Sequence, residues 1–481
     1  MKRVAREALG FSDLRPGQEE AVRSLLAGRD TVVIGPTGWG KSAIYQAAGL
    51  MLPGPTVVVS PLIALQKDQV DSIANQPHSE LAAVLNSAIS AAQAEATLGA
   101  FTDGGVEFIF LAPEQLRKPD TIQQLRLAKP SLFVIDEAHC ISEWGHSFRP
   151  DYLTLGTALE NLGHPTVLAL TATASPNVRE EIVQRLGLRD ALVLVRGFDR
   201  PNIHLRVDYY QTAGEKLEAL TRRIAFAEKP GIVYVATRKS AEAVKGALVE
   251  LGVKTQFYHA GLSAKTREAI QDRFMQSQDQ VIVATNAFGM GIDKENVRFV
   301  FHFDISDSLD SYYQEIGRAG RDGQPAEAVL FYRPQDVALR RFHAGSGKLE
   351  THQVEKVAKL LASQDDPLPP KEIAAKTRLS VRKVTTILNR LQEGDGMVAQ
   401  AVENNEKVRA RQRERVETIQ RYAEFTGCRR EFLLQYFGEA FEGPCGSCDN
   451  DNQRRQAPEN YSAGQRLEVP KDPGLEQAEG A

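Results

Sequence analysis

Residues 31–42 read TVVIGPTGWGKS: a short apolar run, a glycine-rich loop and the start of a helical segment. The loop matches the pattern G-x-x-x-x-G-K-[ST] and lies between a strand and a helix, as that pattern requires. Its glycines let backbone N–H groups curl around phosphate oxygens, toward which the positive end of the following helix points. The stretch therefore predicts an α/β fold with a nucleotide site, and an ordinary glycine-rich turn is the alternative.

Residues of this loop have individual expected roles. Lys41 should reach the β- and γ-phosphates of ATP, and Ser42 should ligate Mg²⁺. The other predicted phosphate-binding positions are Gly35, Thr37, Gly38 and Gly40.

Two adjacent carboxylates follow the apolar run LFVI at residues 132–135. A strand of this kind delivers Asp136 and Glu137 to the carboxyl edge of a parallel sheet, where ligands of such sheets bind. We expect Asp136 to help hold Mg²⁺ and Glu137 to orient or deprotonate the attacking water. Acids at strand ends often only cap helices, but in combination with the phosphate loop this pair predicts ATP hydrolysis.

Two arginines lie three residues apart in QEIGRAGRD, residues 314–322. On a glycine-rich turn they can point into a cleft between lobes. We predict that Arg321 stabilises the negative charge that develops on the γ-phosphate, with Arg318 beside it. The alternative is a solvated basic turn.

Apolar, β-branched runs alternate with helix-length segments as far as about residue 335. Such runs predict buried parallel strands in βαβ units; they include residues 31–34, 56–59, 132–135, 167–170, 231–235, 281–284 and 297–301. A break at residues 197–202 predicts two α/β lobes, residues 1–197 and 198–344. The lack of a membrane-length apolar segment and of an apolar signal region near Met1 favours a soluble, intracellular protein without a membrane partner. The net charge of −4 does not by itself indicate a nucleic-acid partner, but it allows a locally basic groove.

Beyond residue 345 the strand pattern stops. Residues 345–404 are predicted to form a winged helix, with helices near 354–361, 370–376 and 381–391 and short strands at 397–402. Arg382 and Lys383 lie in its third helix, where they suit a duplex backbone. A helical spacer or a protein-docking module is the alternative.

The end of the chain contains a cysteine cluster and then a polar stretch. Cys428, Cys445 and Cys448 include a C-x-x-C pair, which in an intracellular chain favours a metal over a disulfide. We predict a helical metal-binding module at residues 405–452 and a disordered tail at 453–481.

With these motifs placed, residues 9–342 resemble a RecQ-type helicase of superfamily two. The resemblance rests on the segments FSDLRPGQ (11–18), SPLIALQKDQ (60–69), DEAHCISEWGHSFRP (136–150), LTATA (170–174), FDRPN (198–202), YHAG (258–261) and ATNAFGMGIDK (284–294). It implies two tandem RecA-like lobes with parallel sheets and a helical zinc-binding module. In the family a winged helix usually follows the zinc module, whereas here the predicted winged helix comes before it. Trp39 departs from a common glycine, and Asp293 from a common asparagine.

The resemblance also implies roles for further residues. Phe11 would stack on adenine and Gln18 would read its edge, with Arg15 nearby. Catalytic roles extend to His139 and Gln314, and nucleotide contacts to Gly291 and Asp293. The aromatic-rich loop would couple DNA binding to hydrolysis through Trp144, His146, Phe148 and Arg149.

The activity implied is ATP-dependent, 3′-to-5′ unwinding of DNA in recombination and repair. The implied partners are single-stranded and forked or branched DNA, with single-strand-binding protein as a further candidate. We expect a cytoplasmic monomer, associated with the nucleoid in a bacterium. The competing hypotheses are an RNA-remodelling ATPase and a non-motor DNA-binding regulator with a vestigial nucleotide site.

The resemblance also sets the expected zinc ligands. The family's zinc module has one cysteine before a helix and then C-x-x-C-x-x-C, and here Asp451 stands at the fourth position after Cys428, Cys445 and Cys448. Zinc accepts carboxylate oxygen, so three cysteines and Asp451 can complete a tetrahedron. Asp449 is a nearer but less well-spaced alternative. A decayed site with packed thiols is the competing interpretation.

Overall fold

The structure is a computed structural model that describes residue 6 and residues 13–36, 38–61, 63–74, 82–142, 149–286, 288, 294–345, 347–364, 368–393 and 396–451. The predicted tail at 453–481 lies outside these residues. Within the described part of the chain, no helix combines the length and the apolar character needed to cross a membrane.

The first lobe is built on a seven-stranded parallel sheet. Its strands are β1 Thr31–Ile34, β2 Thr56–Val59, β3 Ala82–Leu85, β4 Phe108–Leu111, β5 Leu132–Ile135, β6 Thr166–Thr171 and β7 Leu192–Val195, in the order β3-β4-β2-β5-β6-β1-β7. Strands β1, β2, β4 and β5 are buried at every position, because helices cover both faces of the sheet. All the strand pairs in it are parallel.

The helices of this lobe are α1 Pro16–Leu26, α2 Ser42–Gly49, α3 Ile63–Ala74, α4 Ala91–Thr102, α5 Pro119–Ala128, α6 Leu155–Asn161 and α7 Pro176–Leu186. Short 3₁₀ helices occupy Pro113–Arg117, Ala138–Ile141 and Pro150–Thr154. Helix α2 begins directly after the glycine-rich loop, so its N-terminal end faces the carboxyl edge of the sheet.

The second lobe has a six-stranded parallel sheet. Its strands are β8 Ile203–Tyr209, β9 Gly231–Tyr234, β10 Thr255–Tyr258, β11 Val281–Ala284, β12 Phe299–His302 and β13 Ala326–Tyr332, in the order β10-β11-β9-β12-β13-β8. Its helices are α8 Ala213–Phe226, α9 Arg238–Glu250, α10 Ala264–Gln276, α11 Leu309–Ile316 and α12 Pro334–Gly345. The expectation of two α/β lobes with parallel sheets is confirmed.

The C-terminal region is helical. It contains α13 Thr351–Ala362, α14 Pro370–Thr377, α15 Val381–Glu393, α16 Val398–Glu424 and α17 Arg429–Tyr436. Helices α13 to α15 and the start of α16 share a separate small core that includes Val354, Ile373, Ile387 and Ala401. Ser380 caps α15 as expected, since its Oγ accepts a hydrogen bond of 3.2 Å from the Lys383 N–H.

The predicted wing strands are wrong. Residues 397–402 enter helix α16, and the described residues from 347 to 451 contain no strand beyond an isolated bridge at Cys448. Strong helix formers such as Ala, Glu, Gln, Lys and Arg dominate the 27 residues of α16, and Ala401 packs inward at helical spacing. The same helix continues through residues 404–405, which were expected to be the boundary between the winged-helix module and the zinc-binding module.

Candidate active site

The phosphate loop is held in place by its own lysine. Lys41 Nζ donates to the carbonyl oxygens of Gly35 at 2.8 Å and Pro36 at 3.3 Å. Gly38 and Gly40 have φ values of 80° and 85°, which side-chain-bearing residues rarely adopt. Burial lowers the pKa of Lys41, although the charges of Glu137 and Asp136 oppose that shift. Lys41 is partly buried, and its hydrogen bonds within the described part of the chain go to carbonyl oxygens, which it can exchange for phosphate oxygens.

Helix α1 supports the loop from the side. Gln18 Nε2 donates to the carbonyls of Trp39 at 3.0 Å and Gly40 at 2.9 Å, and Arg15 Nη1 donates to Trp39 at 2.9 Å. These contacts connect the segment expected to bind adenine to the phosphate loop. Contact of Gln18 and Arg15 with a base stays a prediction. Phe11 and Thr37 lie outside the described residues.

The adjacent carboxylates at the end of β5 have opposite pKa shifts. Burial, then the charge of Glu137, raises the pKa of Asp136 to about 7. Burial also acts to raise the pKa of Glu137, but the hydrogen bond and charge of His139 and the charge of Lys41 lower it overall. Glu137 has a left-handed backbone, φ 48° and ψ 46°, and its N–H donates to Asp136 Oδ1 at 3.0 Å. An ionised Glu137 suits a base or a water-orienting group.

His139 connects the acids to the second lobe. Its Nδ1 lies 3.3 Å from Glu137 Oε2 and 2.9 Å from Thr171 Oγ1. Thr171 Oγ1 donates to the Thr173 carbonyl at 3.0 Å, and Gln314 Nε2 of helix α11 donates to Thr173 Oγ1 at 3.5 Å. Burial opposes the charged imidazole, but Cys140 and Glu137 raise the pKa of His139 to about 10. A polar path therefore crosses from strand β5 to helix α11.

Arg318 and Arg321 follow helix α11 and lie near the lysine and acids of the first lobe. The charge of Arg321 lowers the pKa of Lys41, and the charge of Arg318 lowers that of Glu137. Arg318 is buried. The structure therefore brings together, from opposite lobes, the lysine, acids and arginines that were predicted to meet at the nucleotide.

Two residues that hold the arginine loop were not predicted from the sequence. Arg200 donates to the carbonyls of Gly317 at 3.1 Å, Ala319 at 2.9 Å and Gly320 at 2.9 Å. Asn202 Nδ2 donates to the Gly320 carbonyl at 2.8 Å. Both belong to the FDRPN segment, for which DNA contacts were among the expectations. In the fold these two side chains hold the loop that carries Arg321. The sequence signal that could have pointed to Arg200 and Asn202 was that they belong to a segment shared with the family.

The donors at the predicted Mg²⁺ site fit that ion. Ser42 supplies a hydroxyl and Asp136 a carboxylate, and Mg²⁺ prefers oxygen ligands. Mg²⁺ bound there would neutralise phosphate charge during transfer.

The structure describes only some of the expected DNA contacts. Trp144, His146 and Phe148 lie outside the described residues, and so do Gly291 and Asp293, which were expected to contact the nucleotide. Arg149 Nη1 donates to the Pro61 carbonyl at 2.7 Å, so Arg149 joins two of the segments that were expected to contact DNA. Arg382 is exposed and Lys383 is partly exposed on helix α15.

The predicted zinc ligands converge. Ligand atoms of Cys428, Cys445, Cys448 and Asp451 all lie within 4.8 Å of one another. Asp451 Oδ2 accepts a hydrogen bond of 3.0 Å from the Gly446 N–H, whereas the buried Oδ1 has no hydrogen-bond partner among the described residues. Buried polar atoms are normally satisfied, so this oxygen fits a metal ligand. Three thiols and one carboxylate are a donor set that suits zinc.

Asp449 has a different function from that of its neighbour Asp451. Its carboxylate receives the Arg429 guanidinium at 3.0 and 3.2 Å, and it accepts a hydrogen bond of 3.1 Å from the Val207 N–H. Arg429 is 1% exposed and also donates to the Tyr422 carbonyl at 2.6 Å. The buried pair anchors helix α17 to strand β8, and the alternative of Asp449 as the fourth zinc ligand is wrong.

Comparisons with known proteins agree with this arrangement. Residues 15–182 match the DEAD/DEAH box helicase family, residues 215–323 the helicase conserved C-terminal domain, and residues 384–452 the RecQ zinc-binding family. The solved structure of the helicase MrfA bound to DNA shares the fold, with a TM-score of 0.59 at 18% identity over 71% of this chain and 52% of that one.

Among relatives, the probable ATP-dependent DNA helicase RecS of Bacillus subtilis is 35% identical over 91% of this chain and 88% of its own length. The ATP-dependent DNA helicase RecQ of Haemophilus influenzae is 36% identical over 93% of this chain. The match spans 62% of that RecQ protein. With two RecA-like lobes, a composite nucleotide site and a zinc-binding domain, the chain belongs to the RecQ family of ATP-dependent DNA helicases.

Proposed function

We propose that this protein hydrolyses ATP to move 3′-to-5′ along single-stranded DNA and to unwind duplex and branched DNA in recombination and repair. The observation that carries the proposal is the composite site, in which Arg318 and Arg321 of the second lobe lie near Lys41 and Glu137 of the first. A site built from two lobes couples hydrolysis to their relative movement, which is what a stepping motor requires. The names of the relatives favour DNA over RNA.

Each residue of the site has a proposed role. Lys41 and Arg321 stabilise phosphate charge, and Glu137 orients or deprotonates water while His139 holds its carboxylate. Ser42 and Asp136 hold Mg²⁺. Gln314 couples the lobes through Thr173. The ligands that hold zinc are Cys428, Cys445, Cys448 and Asp451.

The dependence of the ATP hydrolysis rate on nucleic acid tests this proposal directly. ATP hydrolysis is measured without nucleic acid, with single-stranded DNA and with RNA of the same sequence. We expect strong stimulation by DNA and weak stimulation by RNA. Glu137→Gln, which keeps shape but loses the base, should reduce the stimulated rate by about 100-fold or more while ATP binding persists. Equal stimulation by RNA would contradict the DNA assignment.

Polarity and oligomeric state need separate measurements. Partial duplexes that carry either a 3′ or a 5′ single-stranded tail should be unwound only from the 3′ tail. We further propose that the protein acts as a monomer and works with single-strand-binding protein. Sedimentation of the free chain and pull-down with purified single-strand-binding protein test these two points.

A further inference from the structure

The zinc-binding region touches the helix that precedes the catalytic arginines. Tyr436, the last residue of helix α17, donates its hydroxyl to Asp310 Oδ2 at 2.6 Å. Asp310 is 2% exposed and lies in the first turn of helix α11. The contact therefore joins the C-terminal region to the helix that leads to Arg318 and Arg321.

The next residue of the chain makes a second contact with the same helix. The Phe437 ring lies 4.7 Å from the Tyr313 ring and stacks at 4.7 Å on the Phe198 ring. The Tyr313 hydroxyl donates to the Phe198 carbonyl at 2.5 Å. Asp310 and Tyr313 are three residues apart, so they share one face of helix α11. Tyr436 at the end of α17 and the following Phe437 contact this face at Asp310 and Tyr313.

The position of helix α11 determines the position of the arginine loop that follows it. It has eight residues, and Ser308 caps it by accepting a hydrogen bond of 3.0 Å from the Ser311 N–H. Gln314, on the same helix, contacts Thr173 of the first lobe, and the arginine loop begins directly after the helix ends. A shift at its N-terminal turn would displace the loop at its C-terminal end, because a short helix moves as a unit.

The Asp310 carboxylate is a buried acceptor with several polar and charged neighbours. Burial raises the pKa of Asp310 overall, and the Tyr436 hydrogen bond and the charges of Arg415 and His139 oppose that rise only in part. Arg415 belongs to helix α16, so two elements of the C-terminal region act on this one carboxylate. Loss of the Tyr436 hydroxyl would leave a buried oxygen without its donor, which favours movement of the helix.

We propose that Tyr436 and Asp310 are positioning residues for ATP hydrolysis, through which the zinc-binding region holds helix α11 so that Arg321 and Arg318 reach the nucleotide. This role rests on the proposed ATPase function. It makes the zinc-binding region a part of the hydrolytic machinery in addition to any contact with DNA.

Tyr436→Phe tests the role because it keeps the ring and removes only the hydroxyl. The kcat of DNA-stimulated ATP hydrolysis should fall about tenfold, since small misplacements of catalytic groups have effects of this size or larger. The KM for ATP should stay within about twofold, because the phosphate loop of the first lobe is untouched.

Tyr332→Phe is the matched control. Its hydroxyl also donates to a carboxylate of the C-terminal region, that of Glu424, at 2.5 Å, but it lies on strand β13 away from helix α11. This variant should keep the wild-type kcat. Zinc content and the thermal unfolding midpoint are measured for both variants. If Tyr436→Phe loses its fold, Asp310→Asn, which lies outside the zinc-binding region, should show the same fall in kcat.

A double-variant comparison separates positioning from general damage. In an Arg321→Ala background, measured by single-turnover hydrolysis with excess enzyme, Tyr436→Phe should change the rate less than twofold. The positioning role would be overturned if Tyr436→Phe caused the same tenfold loss in both backgrounds. It would also be overturned if folded Tyr436→Phe and Asp310→Asn both kept the wild-type kcat. A wild-type protein without DNA-stimulated hydrolysis would instead overturn the proposed function.

Discussion

Asp449 and Asp451 lie two residues apart, but the fold gives them different surroundings. The Asp449 carboxylate pairs with Arg429 and the Val207 N–H. Asp451 lies beside three cysteines and has one buried oxygen that no described residue hydrogen-bonds. Residues 449–451 are helical, so Asp449 and Asp451, two residues apart, project in different directions from the same turn. At the residue scale, position in the turn decides which carboxylate is available to a metal.

Removal of the Asp451 carboxylate should weaken zinc binding. We expect one zinc per chain in wild-type protein purified without added metal, and substoichiometric zinc in Asp451→Ala, because three thiolates leave one coordination position open. Asp451→Cys should retain zinc at least as well as wild type, since thiolate is the softer ligand. Elemental analysis after dialysis against a chelator measures both. Full zinc occupancy in Asp451→Ala would exclude Asp451 as a ligand.

Helix α15 shows how one element can serve two purposes. Its inner face contributes Val384, Ile387 and Leu391 to the small helical core, and its outer face carries Arg382 and Lys383. The helix presents these cations without any wing strand beside it among the described residues, so duplex contacts would depend on the helix itself. At the element scale, the amphipathic pattern determines which residues can face a phosphate backbone.

Charge reversal on helix α15 should weaken binding to forked DNA. Arg382→Glu with Lys383→Glu should lower affinity by about tenfold or more and reduce the slope of log affinity against log salt by about two, because two phosphate contacts are lost. Lys371→Glu with Lys376→Glu, exposed on the neighbouring helix α14, is the matched control. Fluorescence anisotropy across a salt series gives both quantities. Equal losses in the two variants would indicate a non-specific charge effect.

The nucleotide site belongs to the whole molecule, since neither lobe contains all of it. Lys41, Asp136 and Glu137 end up at the carboxyl edge of the first sheet, while Arg318 and Arg321 come from the second lobe. Arg200 and Asn202, which lie between the two sheets in the chain, hold the arginine loop by its carbonyls. We therefore expect hydrolysis to require both lobes in contact, which is how a motor can link ATP turnover to movement.

Arg321→Ala should abolish most hydrolysis without preventing ATP binding. An arginine that stabilises the transferring phosphoryl group contributes about 10³-fold or more to kcat, and the phosphate loop still binds the nucleotide. Arg222→Ala, on an exposed face of the second lobe, should leave kcat unchanged. Steady-state hydrolysis and binding of a fluorescent ATP analogue separate the two effects. A raised KM with an unchanged kcat would assign Arg321 to ground-state binding.

The sequence alone predicts the two parallel-sheet lobes and contains the motifs of the nucleotide site. These signals are local: apolar runs such as residues 31–34 and 281–284 predict buried strands, and the glycine-rich loop needs only its own spacing. Helices α13, α14 and α15 were also predicted, because the apolar spacing and the caps of each helix depend on a short segment of sequence. The zinc cluster was predicted from a spacing pattern that the resemblance supplied.

Packing between distant parts of the chain determines which residues meet. Arg200 reaches Gly317, Tyr436 reaches Asp310 and Arg429 pairs with Asp449 because the two lobes and the C-terminal helices pack together in shared cores, and no local pattern encodes those distances. Residues 397–402 alternate enough to suggest strands, but continuation of a long helix on the small core overrides that preference. Local propensity selects the elements, whereas packing between them selects the contacts that hold the loop of Arg318 and Arg321.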